Sequence, residues 1–117
     1  MEKIVKRIQN GEEHLLDSFI KDNMRYVYAI TKKYEGVFED YEDLIQEGIK
    51  AFLKAIYNFN TSKRYFVQYL NLKILAEVNN YVYYNLDRII DKNKRIAFVK
   101  YLYKKCENRV EFEPDIE

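Results

Sequence analysis

Hydrophobic residues recur three or four positions apart along most of this chain, which is the spacing of one face of an α-helix. The pattern predicts about five helices, over residues 2–9, 12–34, 41–58, 64–86 and 91–106. Asn10-Gly11 and Gly36 are stop signals, and Asp40 is a favourable N-cap for the third helix. The sequence therefore predicts an all-α fold, a compact helical domain of about five helices.

The fourth predicted helix carries two stripes of mostly apolar residues, although a core needs only one. The first stripe consists of Phe66, Leu70, Ile74, Val78 and Tyr81. The second stripe consists of Tyr65, Tyr69, Leu72, Ala76, Asn79 and Tyr83. One of the two is therefore available for a partner.

The last predicted helix ends near Cys106, and its inward residues are predicted to be Ile96, Val99 and either Leu102 or Tyr103. Residues 1–106 are then a single domain. Residues 107–117, which include Pro114, are predicted to be a tail or the start of an inter-domain linker.

Composition excludes several classes of protein. The chain of 117 residues has 12 Tyr and no Trp, with only 3 Gly and 1 Pro, which argues against a loop-rich β-sandwich. One Cys excludes a disulfide framework, and with a single His it leaves no Cys/His zinc cluster. The charged N-terminus has no targeting segment, and no stretch is apolar enough to span a membrane. A cytoplasmic protein is expected.

The net charge of +1 conceals two blocks of opposite sign. Residues 35–47 contain six acids and no base. Residues 88–105 contain seven bases and one acid, Asp91. The blocks are either ordinary solvated helix faces or an acidic surface for one partner and a basic surface for another.

The sequence gives little support for a catalytic site. His14 lies among charged residues, and Cys106, although next to two lysines that could lower its pKa, has no His partner. The acids of 35–47 do not have the spacing of a calcium loop, and no Gly-rich loop could cradle a phosphate. The sequence predicts no enzyme, no cofactor and no metal site.

A motif in the third predicted helix is more informative. Residues 43–48 read D-L-I-Q-E-G, followed by F-L-K-A-I at 52–56 and F-N at 59–60. This string resembles region 2.2 of the bacterial sigma-70 family of RNA polymerase sigma factors. Phe66-Val67-Gln68-Tyr69 stands where that family has F-S-T-Y, and the resemblance extends over about residues 12–85.

The resemblance implies two functions. In the family, the region 2.2 helix docks on a coiled coil in the clamp of the largest subunit of core RNA polymerase. The positions implied here are Glu42, Asp43, Gln46 and Glu47, with Leu44 and Ile45 packing inward. The alternative for Asp43 is that it serves only the N-terminus of its own helix. Ile49 departs from the Asn that the family often has after the Gly.

The second implied function is capture of the non-template strand of the promoter −10 element. Base-contacting candidates are Tyr65, Tyr69, Asn79 and Asn80, and phosphate-contacting candidates are Lys63, Arg64, Lys73 and the basic residues of 88–105. Leu72 is a further DNA-binding candidate, although it cannot stack on a base as a ring does. Leu72 and Lys73 replace a Trp pair found in many members. Weaker melting of promoter DNA, or recognition of a different promoter sequence as in alternative sigma factors, is therefore expected. The alternative for Tyr65 and Tyr69 is ordinary half-buried packing.

A complete sigma factor also carries region 4, which reads the −35 element, and the 32 residues after Asn85 are too few for it. Three explanations are open: a piece of a longer sigma factor, one half of a split factor with region 4 on another subunit, or a sigma-like regulator that binds polymerase without initiating. An anti-sigma factor is a further candidate partner. A generic helical scaffold is the remaining alternative.

Overall fold

Six α-helices and three 3-10 segments form the part of the chain that the computed structural model describes, residues 1–63 and 65–108. The helices are α1 Glu2–Gln9, α2 Leu16–Asp22, α3 Arg25–Thr31, α4 Tyr41–Asn58, α5 Phe66–Tyr83 and α6 Lys92–Asn108. The 3-10 segments are Glu13–Leu15, Lys32–Tyr34 and Leu86–Arg88. The predicted all-α fold is confirmed. Within the described ranges, no helix is long and apolar enough to cross a bilayer.

The predicted helix over 12–34 is wrong as a single element, because it is divided into α2 and α3 between two 3-10 segments. The break falls at Asn23, whose side-chain amide donates to the Phe19 carbonyl at 2.8 Å. The backbone amide of Asn23 bonds to Ile20 instead, three residues back. An asparagine side chain that occupies the i−4 carbonyl offers the backbone an alternative to the helix, and α2 therefore ends there.

The core lies between the two long helices α4 and α5, with α1 and α3 packed beside them. Phe19, Phe52, Phe59 and Phe66 form an aromatic cluster, with Phe66 within 6.5 Å of each of the other ring centroids. The first stripe of α5 is buried as predicted, apart from Tyr81, which is half-buried. These contacts hold α4 and α5 side by side and fix which faces of the two helices remain exposed.

Gly48 allows α3 and α4 to approach closely. A Cβ at this position would lie 2.7 Å from Cγ1 of Val27, and both residues are buried. Val27 is β-branched and sits within a helix, so its side chain has little rotamer freedom with which to move aside. The glycine of the D-L-I-Q-E-G motif is therefore explained by helix packing.

The short helix α1 connects the ends of the two long helices. The Gln9 side-chain amide donates to the Ile56 and Phe59 carbonyls at the end of α4, at 2.7 and 2.9 Å. The Glu2 carboxylate accepts the Phe66 backbone N–H at the start of α5, at 2.9 Å. Helix ends leave such groups without intrahelical partners, and α1 supplies partners for both. Val5 and Ile8 anchor α1 in the core.

We expect the Glu2 contact to make stability depend on pH. The hydrogen bond from the Phe66 amide holds the pKa of the Glu2 carboxyl below its ordinary value. A lowered pKa in the folded state stabilises the fold above the unfolded-state pKa, and this contribution is lost as the pH falls through the folded-state pKa. Glu2→Gln should therefore lower the melting temperature at about pH 7 but match the parent near about pH 2. Thermal unfolding followed by circular dichroism measures this, and an equal difference at both pH values would contradict it.

The predicted inward face of α6 is only partly correct. Leu102 is buried, as one of the two predicted options, but Ile96 and Val99 are 44% and 36% exposed. Phe98 packs inward in their place, with its ring centroid 5.8 Å from that of Tyr34. The larger aromatic ring and a bond from Arg95 to the Ile89 carbonyl at 2.9 Å set the rotation of the helix. Of the predicted tail, residues 107–108 belong to α6, and residues 109–117 lie outside the described part of the chain.

Candidate functional site

The acidic motif of α4 divides into inward and outward residues. Leu44 and Ile45 are buried in the core, as predicted. Glu42 and Gln46 lie one helical turn apart, and both are exposed. Asp43 and Glu47 are partly exposed, and Glu47 pairs with Lys50 one turn further on at 3.0 Å. The outward surface of this turn therefore presents one carboxylate and one amide that a partner could contact.

The side chain of Arg88, from the 3-10 segment after α5, contacts acidic residues at the start of α4. Its Nη2 atom donates to Asp40 Oδ2 at 2.8 Å and to Asp43 Oδ2 at 2.7 Å, and its Nη1 donates to the Tyr81 hydroxyl at 2.8 Å. The Glu39 carboxylate lies 3.8 Å from Nε. The bond to Asp43 is the largest cause of a raised Arg88 pKa. We call Arg88 with Glu39, Asp40 and Asp43 the Arg88 cluster.

The Arg88 cluster corrects the prediction for Asp40. The residue is the N-cap of α4, as predicted, but its side chain makes no capping hydrogen bond. The carboxylate instead accepts a charge-assisted hydrogen bond from the Arg88 guanidinium. Arg88 is also withdrawn from the predicted basic surface, since only 19% of its side chain is exposed.

The outward face of α5 carries most of the predicted DNA-contacting residues. Tyr65 and Leu72 are 65% and 59% exposed, and Lys73 is exposed beside them. Tyr69 is half-buried: its ring packs against Phe59, with centroids 5.4 Å apart, and the Lys73 ammonium lies 5.5 Å from the Tyr69 centroid. The Tyr69 ring therefore packs on the core and also borders the exposed face, and its contact with DNA stays a prediction.

A surface cleft of about 310 Å³ lies between α4 and α5 next to Lys73. Its lining residues are Ala51, Lys54, Asn58, Lys73, Ala76, Glu77 and Asn80. Lys54 and Glu77 pair at 2.8 Å and so connect the two helices. Amide and ammonium groups around a small apolar floor can donate hydrogen bonds to a nucleobase or a phosphate.

Asn79 and Asn80 are adjacent in sequence, but their environments differ. Asn79 is 2% exposed, and its Oδ1 accepts the Tyr34 hydroxyl at 3.2 Å. Asn80 is half-buried and lines the cleft. The structure thus places Asn80, and not Asn79, beside Lys73. Lys63 is exposed in the loop before α5, and Arg64 lies outside the described residues.

Comparison with known proteins identifies the family. The sequence model of sigma-70 region 2 matches residues 19–81, more than half of the chain. The chain belongs to the sigma-70 region 2 family.

Several sigma factors are similar over this region. The RNA polymerase sigma-K factor of Bacillus subtilis is 36% identical over 61 residues, which cover 52% of this chain and 21% of that protein. The RNA polymerase sigma factor SigA of a Bacillus species is 38% identical over 61 residues, 52% of this chain and 16% of that protein. The sigma-E factor of Clostridium acetobutylicum is 29% identical over 99 residues, 72% of this chain and 42% of that protein. The chain therefore spans less than half the length of each relative. No solved structure matches it.

The sigma-70 region 2 match covers the second half of α2, all of α3 and α4, and α5 as far as Tyr81. Helices α1 and α6 and the Arg88 cluster's arginine lie outside it. Sequence reasoning missed the pairing of Arg88 with Asp43, which are 45 positions apart. The only available signal was the opposite sign of the two charge blocks, and this does not specify a pair. In the described part of the chain, no three acidic, His or Cys side chains form a metal-binding group.

Proposed function

We propose that this region 2 domain serves an RNA polymerase sigma factor, binding the core polymerase through α4 and the promoter −10 element through α5. The observation that carries the proposal is the division of each long helix into a buried face and an exposed face bearing the predicted site residues. On α4 the exposed pair is Glu42 and Gln46, and the exposed residues of α5 and its N-cap include Lys73 and Tyr65. The domain acts as a binding module and not as an enzyme.

The proposed docking partner is the clamp coiled coil of the largest polymerase subunit. The first turns of α4 are acidic. Leu44 and Ile45 are buried in the core and so fix the position of these turns. A basic helical partner would be steered to such a surface by charge, while affinity would come from the few contacts buried at its centre. Glu42 and Gln46 are the best placed, and Asp43 and Glu47 are secondary because each already has a partner within the chain.

Core binding should weaken when this pair is removed. We expect Glu42→Ala with Gln46→Ala to weaken binding to core polymerase about thirtyfold, since interfacial contacts of this kind contribute roughly 1 kcal/mol each. Fluorescence anisotropy of the labelled full chain with purified Bacillus subtilis core polymerase measures the affinity. Glu35→Ala with Gln68→Ala is the matched control, because it removes one exposed acid and one exposed amide outside α4. Equal weakening by both double variants would reject the docking surface.

The proposed DNA partner is the non-template strand of the −10 element. Extruded bases regain about 1–3 kcal/mol each when they stack on aromatic rings. Tyr65 and Tyr69 offer such rings at the start of α5, and Lys73, Asn80 and the cleft follow along the same face. We propose phosphate contacts for Lys63, which is exposed before α5, and for Arg64.

Replacement of Tyr69 should weaken DNA binding selectively. We expect Tyr69→Ala to reduce the affinity of the polymerase-bound chain for a −10 single strand about tenfold, the loss of one stacked base. Tyr65→Ala is the companion variant, because that ring is largely exposed and its loss removes little packing. Anisotropy of a labelled oligonucleotide and affinity for core polymerase are measured on the same samples. If Tyr69→Ala weakened both equally, its ring would have only a packing role.

A second function is favoured by Leu72 and Lys73, which stand exposed where many sigma factors carry a ring pair. A domain with weak melting capacity could occupy the polymerase as a sigma-like regulator. In vitro transcription with core polymerase and a subunit carrying region 4 separates the two functions. Initiation supports the sigma factor, whereas inhibition alone supports the regulator. An anti-sigma factor, if present, would shift either result by competing for the same surfaces.

A further inference from the structure

The Arg88 cluster places a cation of the chain itself on the proposed docking helix. One guanidinium nitrogen bridges Asp40 and Asp43, at 2.8 and 2.7 Å, before any partner arrives. Arginine is the residue best suited to hold carboxylates, because its planar fork carries five donors in fixed geometry. A basic helix approaching α4 would offer groups of the same chemistry to the same carboxylates.

The backbone and neighbouring rings hold Arg88 in position. The Arg88 carbonyl accepts the Glu39 amide at 2.7 Å, and the Ile90 amide donates to the Val37 carbonyl at 2.7 Å. These bonds attach the segment after α5 to the segment before α4. The guanidinium lies 5.0 Å from the Phe38 ring centroid, and the Tyr81 hydroxyl accepts from its other terminal nitrogen. Because these contacts already order the side chain, the bonds from Arg88 to Asp40 and Asp43 cost little additional side-chain entropy.

Exchange of one arginine for another at Asp43 therefore yields little net affinity. A partner's cation must either displace Arg88 or share a carboxylate already neutralised by it. Displacement also leaves a poorly solvated guanidinium without one of its acceptors, which carries a desolvation penalty. The intramolecular pair and the intermolecular pair thus compete for the charge of the same carboxylate.

We propose that Arg88 is a specificity-determining residue for docking, because it competes with the basic side chains of the polymerase for Asp43. This inference rests on the proposed function of α4 in core binding. In the parent chain, Asp43 contributes little to affinity, and the docking contacts fall on Glu42 and Gln46. Partners are selected for contacts with Glu42 and Gln46, and not for a single arginine aimed at Asp43.

A double-mutant cycle tests the competition in the full chain with purified Bacillus subtilis core polymerase. Arg88→Gln should strengthen binding about fivefold, because it frees a carboxylate for a charge-assisted contact across the interface. Asp43→Asn alone should change affinity less than about twofold, and in the Arg88→Gln background it should abolish the gain. Arg25→Gln removes an exposed cation from α3 and controls for charge alone. It should leave affinity within about twofold of the parent.

A second variant keeps the test decisive if Arg88→Gln fails to fold. Tyr81→Phe retains Arg88 and the acids but removes one acceptor of the guanidinium, and it should strengthen binding by about twofold in the same direction. Circular dichroism establishes that each variant is folded. Unchanged or weaker binding by a folded Arg88→Gln, or a gain that persists without Asp43, would overturn the competition while leaving α4 as the docking helix. A parent chain that does not bind core polymerase would overturn the proposed function itself.

Discussion

Gly48→Ala is expected to destabilise the domain by about 2 kcal/mol, which would lower its melting temperature by roughly 10 °C. The added methyl would meet Val27 Cγ1 at 2.7 Å, a separation that real Cβ atoms do not reach. Alanine is intrinsically better than glycine inside a helix by up to about 1 kcal/mol, so a position without this clash would be stabilised. The clash is expected to win, because Val27 is fully buried and cannot rotate away.

Urea denaturation of the single and double variants measures this prediction. Val27→Ala alone is destabilising because it leaves a cavity, by about 2 kcal/mol. Adding Gly48→Ala to that variant should cost far less than it costs in the parent, and the helix propensity of alanine could then make it favourable. If Gly48→Ala cost the same in both backgrounds, or stabilised the parent, close packing of α3 on α4 would not explain the glycine.

Asn79→Ala is expected to destabilise the domain by about 2 kcal/mol, although the sequence assigns this residue to DNA reading. Its side chain is buried and accepts the hydroxyl of Tyr34, itself buried enough that desolvation raises its pKa. Removing the amide leaves that hydroxyl without its acceptor in an apolar setting. A buried hydroxyl without a hydrogen-bond partner destabilises the fold by more than the net contribution of the original bond, because water cannot replace the lost partner.

Asn80→Ala is the matched control, since the same residue type is removed one position along. Asn80 lies at the cleft, so its loss should change the free energy of unfolding by less than about 0.5 kcal/mol while weakening −10 strand binding. Tyr34→Phe completes a cycle, and Asn79→Ala should cost about 1 kcal/mol less in its presence. Urea denaturation measures the stabilities. A stable Asn79→Ala domain with impaired DNA binding would restore Asn79 to the DNA surface.

Elements specified by local signals were predicted well. Helix α1 occupies residues 2–9 as predicted, because Asn10-Gly11 ends it, and Gly11 adopts the left-handed φ of 109° that such an end favours. Helix α4 begins directly after Asp40 and ends at Asn58, also as predicted. The inward packing of Leu44 and Ile45 followed from helical periodicity alone.

The errors arise where tertiary contacts choose between local options. Helix α6 has two apolar faces, and the contact between Phe98 and Tyr34 selects the one that periodicity did not favour. Asn79 lies on a stripe that looked like a surface, but α5 is packed on more than one side and buries a wider arc than a simple amphipathic helix. The role of Arg88 depends on the pairing of the segments before α4 and after α5. No local signal encodes that pairing.

The bonds that α1 makes with the two long helices make it part of the packed unit. Its 8 residues span the connection between α4 and α5. Gln9 bonds to the end of α4, and Glu2 bonds to the start of α5. A protein trimmed to the family-matched residues 19–81 would lose both partners and expose core side chains that Val5 and Ile8 now cover. For this member of the family, the matched region and the packed helical unit therefore begin at different residues.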